Sequence, residues 1–299
     1  MNAISLFSGA GIDEFYLYES NVKVILANEI VKSRAIAYTK LHDNQNVIND
    51  DICKDEVKNK IIKFAKENDV RLIIATPPCQ GLSWAGANKT GESLIKDKRN
   101  FLVLNALEIF DAVRPDYFIV ENVPRFQEMR FPSKDRWVTL RELLEESYSG
   151  DYEISVNVLD AADYGVPQTR LRVVYRLWKK GLKWNLPQKE PQITLQAAIG
   201  NLPSLESGET SNIKNHVICM KYTPTGKSAY ENKEHFPKKD NGEKIKGFKN
   251  TFKRMRWDRP APTITMRNEI VSSQENVHPG RQNADGTWSD ARVLTLREL

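Results

Sequence analysis

Cysteine is scarce in this sequence: Cys53, Cys79 and Cys219 are the only three, they lie far apart, and none forms a C-x-x-C pair. That pattern excludes a disulfide framework and a structural zinc site, and leaves open a single reactive thiol. The four histidines, His42, His216, His235 and His278, are equally scattered and lack metal-ligand spacing, so no metal is expected. Nor is there an apolar run of the roughly 18 residues that a helical membrane span needs. Met1 to Phe7 has no basic n-region and reads as a first strand rather than a secretory leader, so a soluble intracellular protein is expected.

What is present is enough chain, 299 residues, for a large α/β domain with a smaller lobe. Short apolar runs alternate with amphipathic stretches through about residue 178. That pattern predicts a doubly wound, mainly parallel sheet with helices on both faces. The predicted strands are Ala3–Phe7, Val22–Ala27, Leu72–Ala75, Tyr117–Val120, Ile154–Leu159 and Val173–Leu177, with helical spacing over Asp55–Asn68 and Phe101–Val113. Beyond Trp178 the alternation gives way to a Lys-, Pro-, Asn- and Gly-rich region, which sets a domain boundary near residues 178–190. From Arg176 to Arg259 there are 18 Lys/Arg against 8 Asp/Glu, a local charge of +10 in a chain whose net charge is +5. A basic lobe beside a mildly acidic body suits a polyanion partner, although a solvated lysine-rich surface has the same composition.

Two ends of the predicted sheet carry chemistry. The first strand runs into Phe7-Ser8-Gly9-Ala10-Gly11, a glycine turn that either approaches a ligand or is simply tight. Glu29 ends the second strand eighteen residues after Gly11, where nucleotide-binding α/β units grip ribose hydroxyls. Asp51-Ile52 follows Val47-Ile48 at a third strand end, where a carboxylate can take an adenine amino group. Together they favour an adenosine-containing cofactor without saying which. At the chemical end, Leu72–Ala75 opens into Thr76-Pro77-Pro78-Cys79-Gln80, whose paired prolines make a stiff turn and put Cys79 at the carboxyl edge. The next strand delivers Glu121-Asn122-Val123 to the same edge. A carboxylate opposes a thiolate, so Glu121 makes more sense as a group that binds and protonates a substrate base than as an activator of Cys79. A structural cysteine and a helix-capping glutamate are the plain alternatives.

In this order these segments resemble the C5-cytosine DNA methyltransferases over nearly the whole chain: FSGAG (Phe7–Gly11), Glu29, Asp51-Ile52, PPCQ (Pro77–Gln80), ENV (Glu121–Val123) and DYGVPQTRLRVV (Asp163–Val174). The resemblance implies an S-adenosylmethionine-dependent fold with a smaller target-recognition lobe. It assigns residues 1–178 to the catalytic domain, 179–291 to target recognition, and 292–299 to the start of a segment returning to the core. It implies Cys79 as nucleophile, with Glu121, Arg170 and Arg172 as the other catalytic groups. Phe7, Gly9, Gly11, Glu29, Asp51, Ile52, Pro78 and Leu102 would hold S-adenosyl-L-methionine, and S-adenosyl-L-homocysteine would be the product. Gln80, Ser83, Asn122, Val123, Arg254 and Arg256 would touch a double-stranded DNA substrate and its target cytosine. The loop Gln80–Asn100 would close over a base turned out of the duplex. Location would be the bacterial or archaeal cytoplasm, in association with the nucleoid.

The resemblance also implies alternatives. A tRNA cytosine-5 methyltransferase would share the core but carry a Cys-Phe-Thr tripeptide, which this sequence lacks. A catalytically incomplete DNA-binding subunit is the non-enzyme alternative. The final residues, Arg292 to Leu299, resemble the opening of the family's next block, whose continuation with a Gly-Asn segment is not in this sequence. A second polypeptide that supplies it is therefore expected as a partner, with truncation as the other explanation. The expectation is that methylation by this chain rises sharply when a C-terminal fragment is added in a radiolabelled methyl-transfer assay; full activity of the chain alone would dispose of it.

Overall fold

The computed structural model describes residues 1–43, 46–78, 98–205, 214–239, 241–265 and 270–299, with Lys98 and residues 214–216 described by backbone only. Two compact units emerge. The first comprises Met1–Leu159 and Leu171–Leu186, the second Asp160–Arg170 and Pro187–Leu299. The sequence boundary at 178 thus falls inside a segment of the first unit, and an eleven-residue stretch before it belongs to the second. Residues 292–299 also sit in the second unit rather than returning to the first.

The first unit is built on strands β1 (Asn2–Leu6), β2 (Lys23–Asn28), β3 (Val47–Ile48), β4 (Val70–Ala75), β5 (Tyr117–Asn122), β8 (Tyr152–Asp160) and β9 (Leu171–Lys179), in the order β3-β2-β1-β4-β5-β9-β8. A separate antiparallel hairpin joins β6 (Arg130–Ser133) to β7 (Arg136–Thr139). Strands β1 to β5 are mutually parallel, whereas β9 enters antiparallel to β5. The chain leaves β1 toward β2 on one side and meets β4 on the other, so β1 and β4 flank the switch point where α/β sheets bind ligands.

Helix α1 (Lys32–His42) follows β2, α2 (Asp55–Glu67) follows β3, α3 (Val103–Val113) precedes β5, and α4 (Leu140–Tyr148) follows β7. In α2 the buried residues Val57, Ile61 and Ala65 recur every four positions and face the sheet core. Phe110 of α3 stacks on Phe118 of β5 at 4.8 Å, with Tyr148 and Tyr152 at 4.9 and 5.0 Å from the same ring. Thr139 caps α4 reciprocally with Glu142. Among the described residues no helix is long and apolar enough to cross a membrane.

The second unit has short helices α5 (Leu195–Ile199) and α6 (Lys214–Lys221) and is otherwise held by isolated bridges and loops. Its apolar interior falls into two clusters, one with Cys219, Met220, Phe252, Val277 and Val293, the other with Leu195, Ile199, Met255, Ala261 and Leu294.

Candidate active site

Because β1 to β5 are parallel, their carboxyl ends share one rim, and each sequence-predicted group of the first unit is carried there by the residue that ends a strand. After Leu6 the chain reverses through Phe7 (φ 61°), Gly9 (φ 59°) and Gly11 (φ 72°). A side chain at Gly11 would meet the Tyr38 ring at 2.6 Å, so backbone conformation and crowding both demand glycine there. At Gly9 the space a side chain would take is open. Glu29, 4% exposed, spans the turn: one oxygen accepts Gly9 N–H at 2.9 Å and the other Val31 N–H at 2.7 Å. Asn28 donates to the carbonyls of Ile48 and Asp50, both at 3.0 Å, tying the β2 end to the β3 end. Asp51 Oδ1 accepts Cys53 N–H at 2.9 Å, and Ile52 is buried beneath it.

On the other side of β1, Thr76 donates through its hydroxyl to Phe7 O at 3.1 Å and through its N–H to Leu6 O at 3.2 Å. Asn122 then donates to Pro77 O at 3.1 Å and accepts Val123 N–H at 2.9 Å. Asn122 is only 2% exposed, so its expected contact with substrate is corrected: its amide is used up in holding the start of the Pro-Pro turn. Thr76 and Asn28 are rim residues the sequence reading passed over; the position of Thr76 just before Pro77 was the available signal. Leu102, just ahead of α3, packs half-buried against the core. Pro78 is half-buried at the rim. Cys79, Gln80 and Ser83, with nearly all of the expected closing loop, lie outside the described residues.

The carboxylate of Glu121 meets Arg172 Nε at 2.6 Å, with the two side chains 32% and 21% exposed. Register explains the pairing. Glu121 stands opposite Val174 in the β5–β9 ladder, so Arg172, two residues earlier on the same face, is its diagonal neighbour. Arg172 also donates to Leu171 O at 2.7 Å, which fixes the guanidinium. Arg170 belongs to the second unit, where its N–H donates to Asp160 Oδ1 at 2.8 Å and its carbonyl accepts from Ala161.

The two described cysteines are poor nucleophiles. Burial pushes the Cys219 thiol up to about 12, and partial burial together with Asp51 raises that of Cys53. Neither ionises readily near neutrality.

In the second unit the expected DNA-contacting arginines part company. Arg256 is exposed and forms a two-point pair with Asp258. Arg254 is fully buried, its Nη1 donating to His278 O (2.8 Å) and Asp290 O (3.0 Å) and its Nη2 to Met220 O (2.9 Å). That overturns the expected phosphate contact: Arg254 instead joins three chain segments from inside, and burial lowers its guanidinium to about 9. Arg292 lies beside it, bound to Asp290 (2.6 Å) and to both oxygens of Glu298 (2.7 and 2.9 Å). His278 Nδ1 accepts Gly280 N–H at 3.0 Å, and burial, opposed by Asp290 and Glu298, lowers the ring to about 4.

The sheet order and the occupied rim define the methyltransferase type of doubly wound α/β fold. A family model described as C-5 cytosine-specific DNA methylase matches residues 1–299, and the chain belongs to that family of DNA cytosine-5-methyltransferases. It is 45% identical over 305 residues to the Type II methyltransferase M1.HgaI of Avibacterium volantium, covering 99% of this chain and 85% of that relative. With M1.HphI of Haemophilus parahaemolyticus it shares 31% identity over 215 residues, 71% of this chain and 56% of the relative. Among solved structures, a protein described as a prophage-encoded DNA modification methyltransferase (E. coli) superposes with TM-score 0.66 at 20% identity, covering 100% of this chain and 86% of the other. A Spodoptera frugiperda DNMT2 gives TM-score 0.53 at 20% identity, covering 74% and 65%. These last two likenesses concern the fold.

The buried network of the second unit makes its stability pH-dependent. His278 has a folded value near 4 against an ordinary 6.5, so below about 6.5 the unfolded chain binds the extra proton first. Asp290 and Glu298 are held below the usual carboxylate range and also lose stabilisation as pH falls. Thermal melting followed by Trp257 fluorescence, whose indole lies 5.2 Å from the His278 ring, is expected to be flat above pH 6.5 and to fall progressively toward pH 4. A His278→Gln variant should flatten the upper part of that fall; an unchanged profile refutes the assignment.

Proposed function

We propose that this chain transfers a methyl group from S-adenosylmethionine to C5 of a cytosine turned out of duplex DNA, with Cys79 as nucleophile. The observation that carries the reading is the Glu121–Arg172 pair at the end of β5, next to the strand that runs into Pro77-Pro78-Cys79. The raised thiols of Cys53 and Cys219 support it by elimination.

The rim fits an adenosine cofactor. Gly9 leaves an open cradle on a backbone in the left-handed region, and each oxygen of Glu29 keeps a lone pair beyond its backbone bond. Phe7, Gly9 and Gly11 would line the approach, Glu29 would take ribose hydroxyls, and Asp51 with Ile52 would hold the base. Pro78 and Leu102 would close the remaining side. When bound, S-adenosylmethionine supplies an electrophilic methyl group on sulfur.

The chain's own residues do the rest. C5 of cytosine is a weak nucleophile, so the Cys79 thiolate adds to C6, forming a C–S bond and pushing the C5–C6 electron pair toward C5. Glu121 faces N3 and the exocyclic amine and passes its proton to N3 as negative charge builds on the ring. Arg172 keeps that carboxyl from rotating and balances its charge once the proton has gone. Arg170 would support the turned-out base, and Gln80, Ser83 and Val123 would line the pocket. After C5 has gained its methyl group, its proton leaves to solvent, the C–S bond breaks, and Cys79 is restored. Rotating the base out of the stack costs a few kcal/mol. The relatives named Type II methyltransferases support a role in a restriction-modification system, acting on DNA in the cytoplasm.

Cys79→Ser is expected to abolish methyl transfer while leaving duplex binding in place, and Glu121→Gln to lower kcat by roughly 10²–10⁴-fold. Tritiated-methyl incorporation and gel shifts on the same preparations check both. Persisting methylation by the serine variant would remove Cys79 from the mechanism.

A further inference from the structure

Lysines repel one another, yet the short segment 236–249 of the second unit carries five exposed ones: Lys238, Lys239, Lys244, Lys246 and Lys249. The chain doubles back here, with Ile245 N–H donating to Pro237 O at 2.9 Å and Lys239 N–H to Glu243 O at 2.8 Å. Lys238 and Lys244 are consequently opposed as antiparallel bridge partners. Like charges directly across a β pair destabilise it. Both ammonium groups also gather over one aromatic face, the Lys238 and Lys244 Nζ atoms lying 4.7 and 4.9 Å from the centre of the Phe236 ring. The ring offsets part of the repulsion; an anion lying between the two lysines would relieve it further. Only Lys239 has a carboxylate close by, Glu243 at 3.0 Å.

Phe248 adds a second, independent feature. Its side chain is 77% exposed, whereas Phe252 four residues on is 4% exposed and packs into the core. The backbone beneath Phe248 is held: its carbonyl accepts the N–H of Thr251 at 2.9 Å and the Thr251 hydroxyl at 2.8 Å. An aromatic ring presented on an anchored turn, next to a strip of lysines, has the composition of a nucleic-acid contact: cations for phosphates, and an apolar face for a base.

We propose that the lysine hairpin 236–246 is a phosphate-backbone contact of the second unit with duplex DNA, and that Phe248 packs against a base in the groove. The hairpin thereby does what Arg254, buried in the interior, does not. The proposal rests on DNA being the substrate, as in the reaction proposed above, and assigns the residues that carry its electrostatic and apolar parts. Charge and ring make separable predictions: lysine contacts release counterions and set the salt dependence of binding, while an aromatic contact adds affinity without changing that slope.

The test uses the full chain and a fluorescent mixed-sequence duplex, with binding followed by anisotropy over stepped salt concentrations. The combined variant Lys238→Ala, Lys244→Ala, Lys246→Ala is expected to make the slope of log K against log salt shallower by about 2 to 3, at roughly 0.9 per phosphate contact. Phe248→Ala should keep the slope and weaken binding about tenfold. Both changes are at exposed positions, and melting curves matching the parent protein establish that the fold is kept. Wild-type slope and affinity in the lysine variant overturn the phosphate contact, and wild-type affinity in Phe248→Ala overturns the base contact. Bisulfite sequencing of plasmid from cells expressing the parent chain separates this proposal from the reaction. Unmethylated cytosine with a lysine-dependent slope rejects the chemistry and keeps the contact; methylation with an unchanged slope does the reverse.

Discussion

Strand β1 is hydrogen-bonded in parallel to both β2 and β4, and the rim exists because of that double pairing. A parallel neighbour on each side brings three strand ends to one height, so the Phe7–Gly11 turn stands between the end of β2 and the end of β4. Side chains then lock what the ladder aligns. Glu29 reaches Gly9 from β2, and Thr76 reaches Phe7 from β4, each satisfying a backbone group that the turn would otherwise leave unpaired. A residue larger than glycine at Gly11 would push the turn off Tyr38 and pull both locks apart.

Antiparallel entry of β9 does for the chemical end what parallel pairing does for the cofactor end. A strand running the same way as β5 would begin at the opposite edge; running against it, β9 begins beside the residues that end β5. Arg172 is delivered to Glu121 by this polarity and by the two-residue repeat of side chains on one face. Asn122, the next residue of β5, points the other way into the interior and braces Pro77. One strand end thus serves both the exposed acid and the buried brace through simple alternation.

The second unit follows a different economy. With few regular ladders, it relies on guanidinium groups to satisfy carbonyls from distant segments: Arg254 binds Met220, His278 and Asp290, while Arg292 binds Asp290 and Glu298. Planar, five-donor side chains suit that task better than lysine. The lysines of the same unit remain outside, in the hairpin 236–246, where repulsion keeps them solvated or paired with anions. Arginine inside and lysine outside is a division that a count of positive charge along the sequence does not reveal.

The sequence by itself determined the alternation of strands and helices, the glycine turn, and the residues that end each strand. Those features are local, written in periodicity and in Gly or Pro at fixed points. Helix α1 escaped notice because it has no apolar stripe: Ile36 and Leu41 are exposed and only Ala35 and Tyr38 are buried. Tertiary structure alone decided the polarity of β9, the assignment of residues 160–170 to the second unit, and the burial of Arg254 beside an exposed Arg256. Strand direction and burial arise from contacts between residues far apart in the chain, and two arginines two positions apart look alike until the packing around each is known.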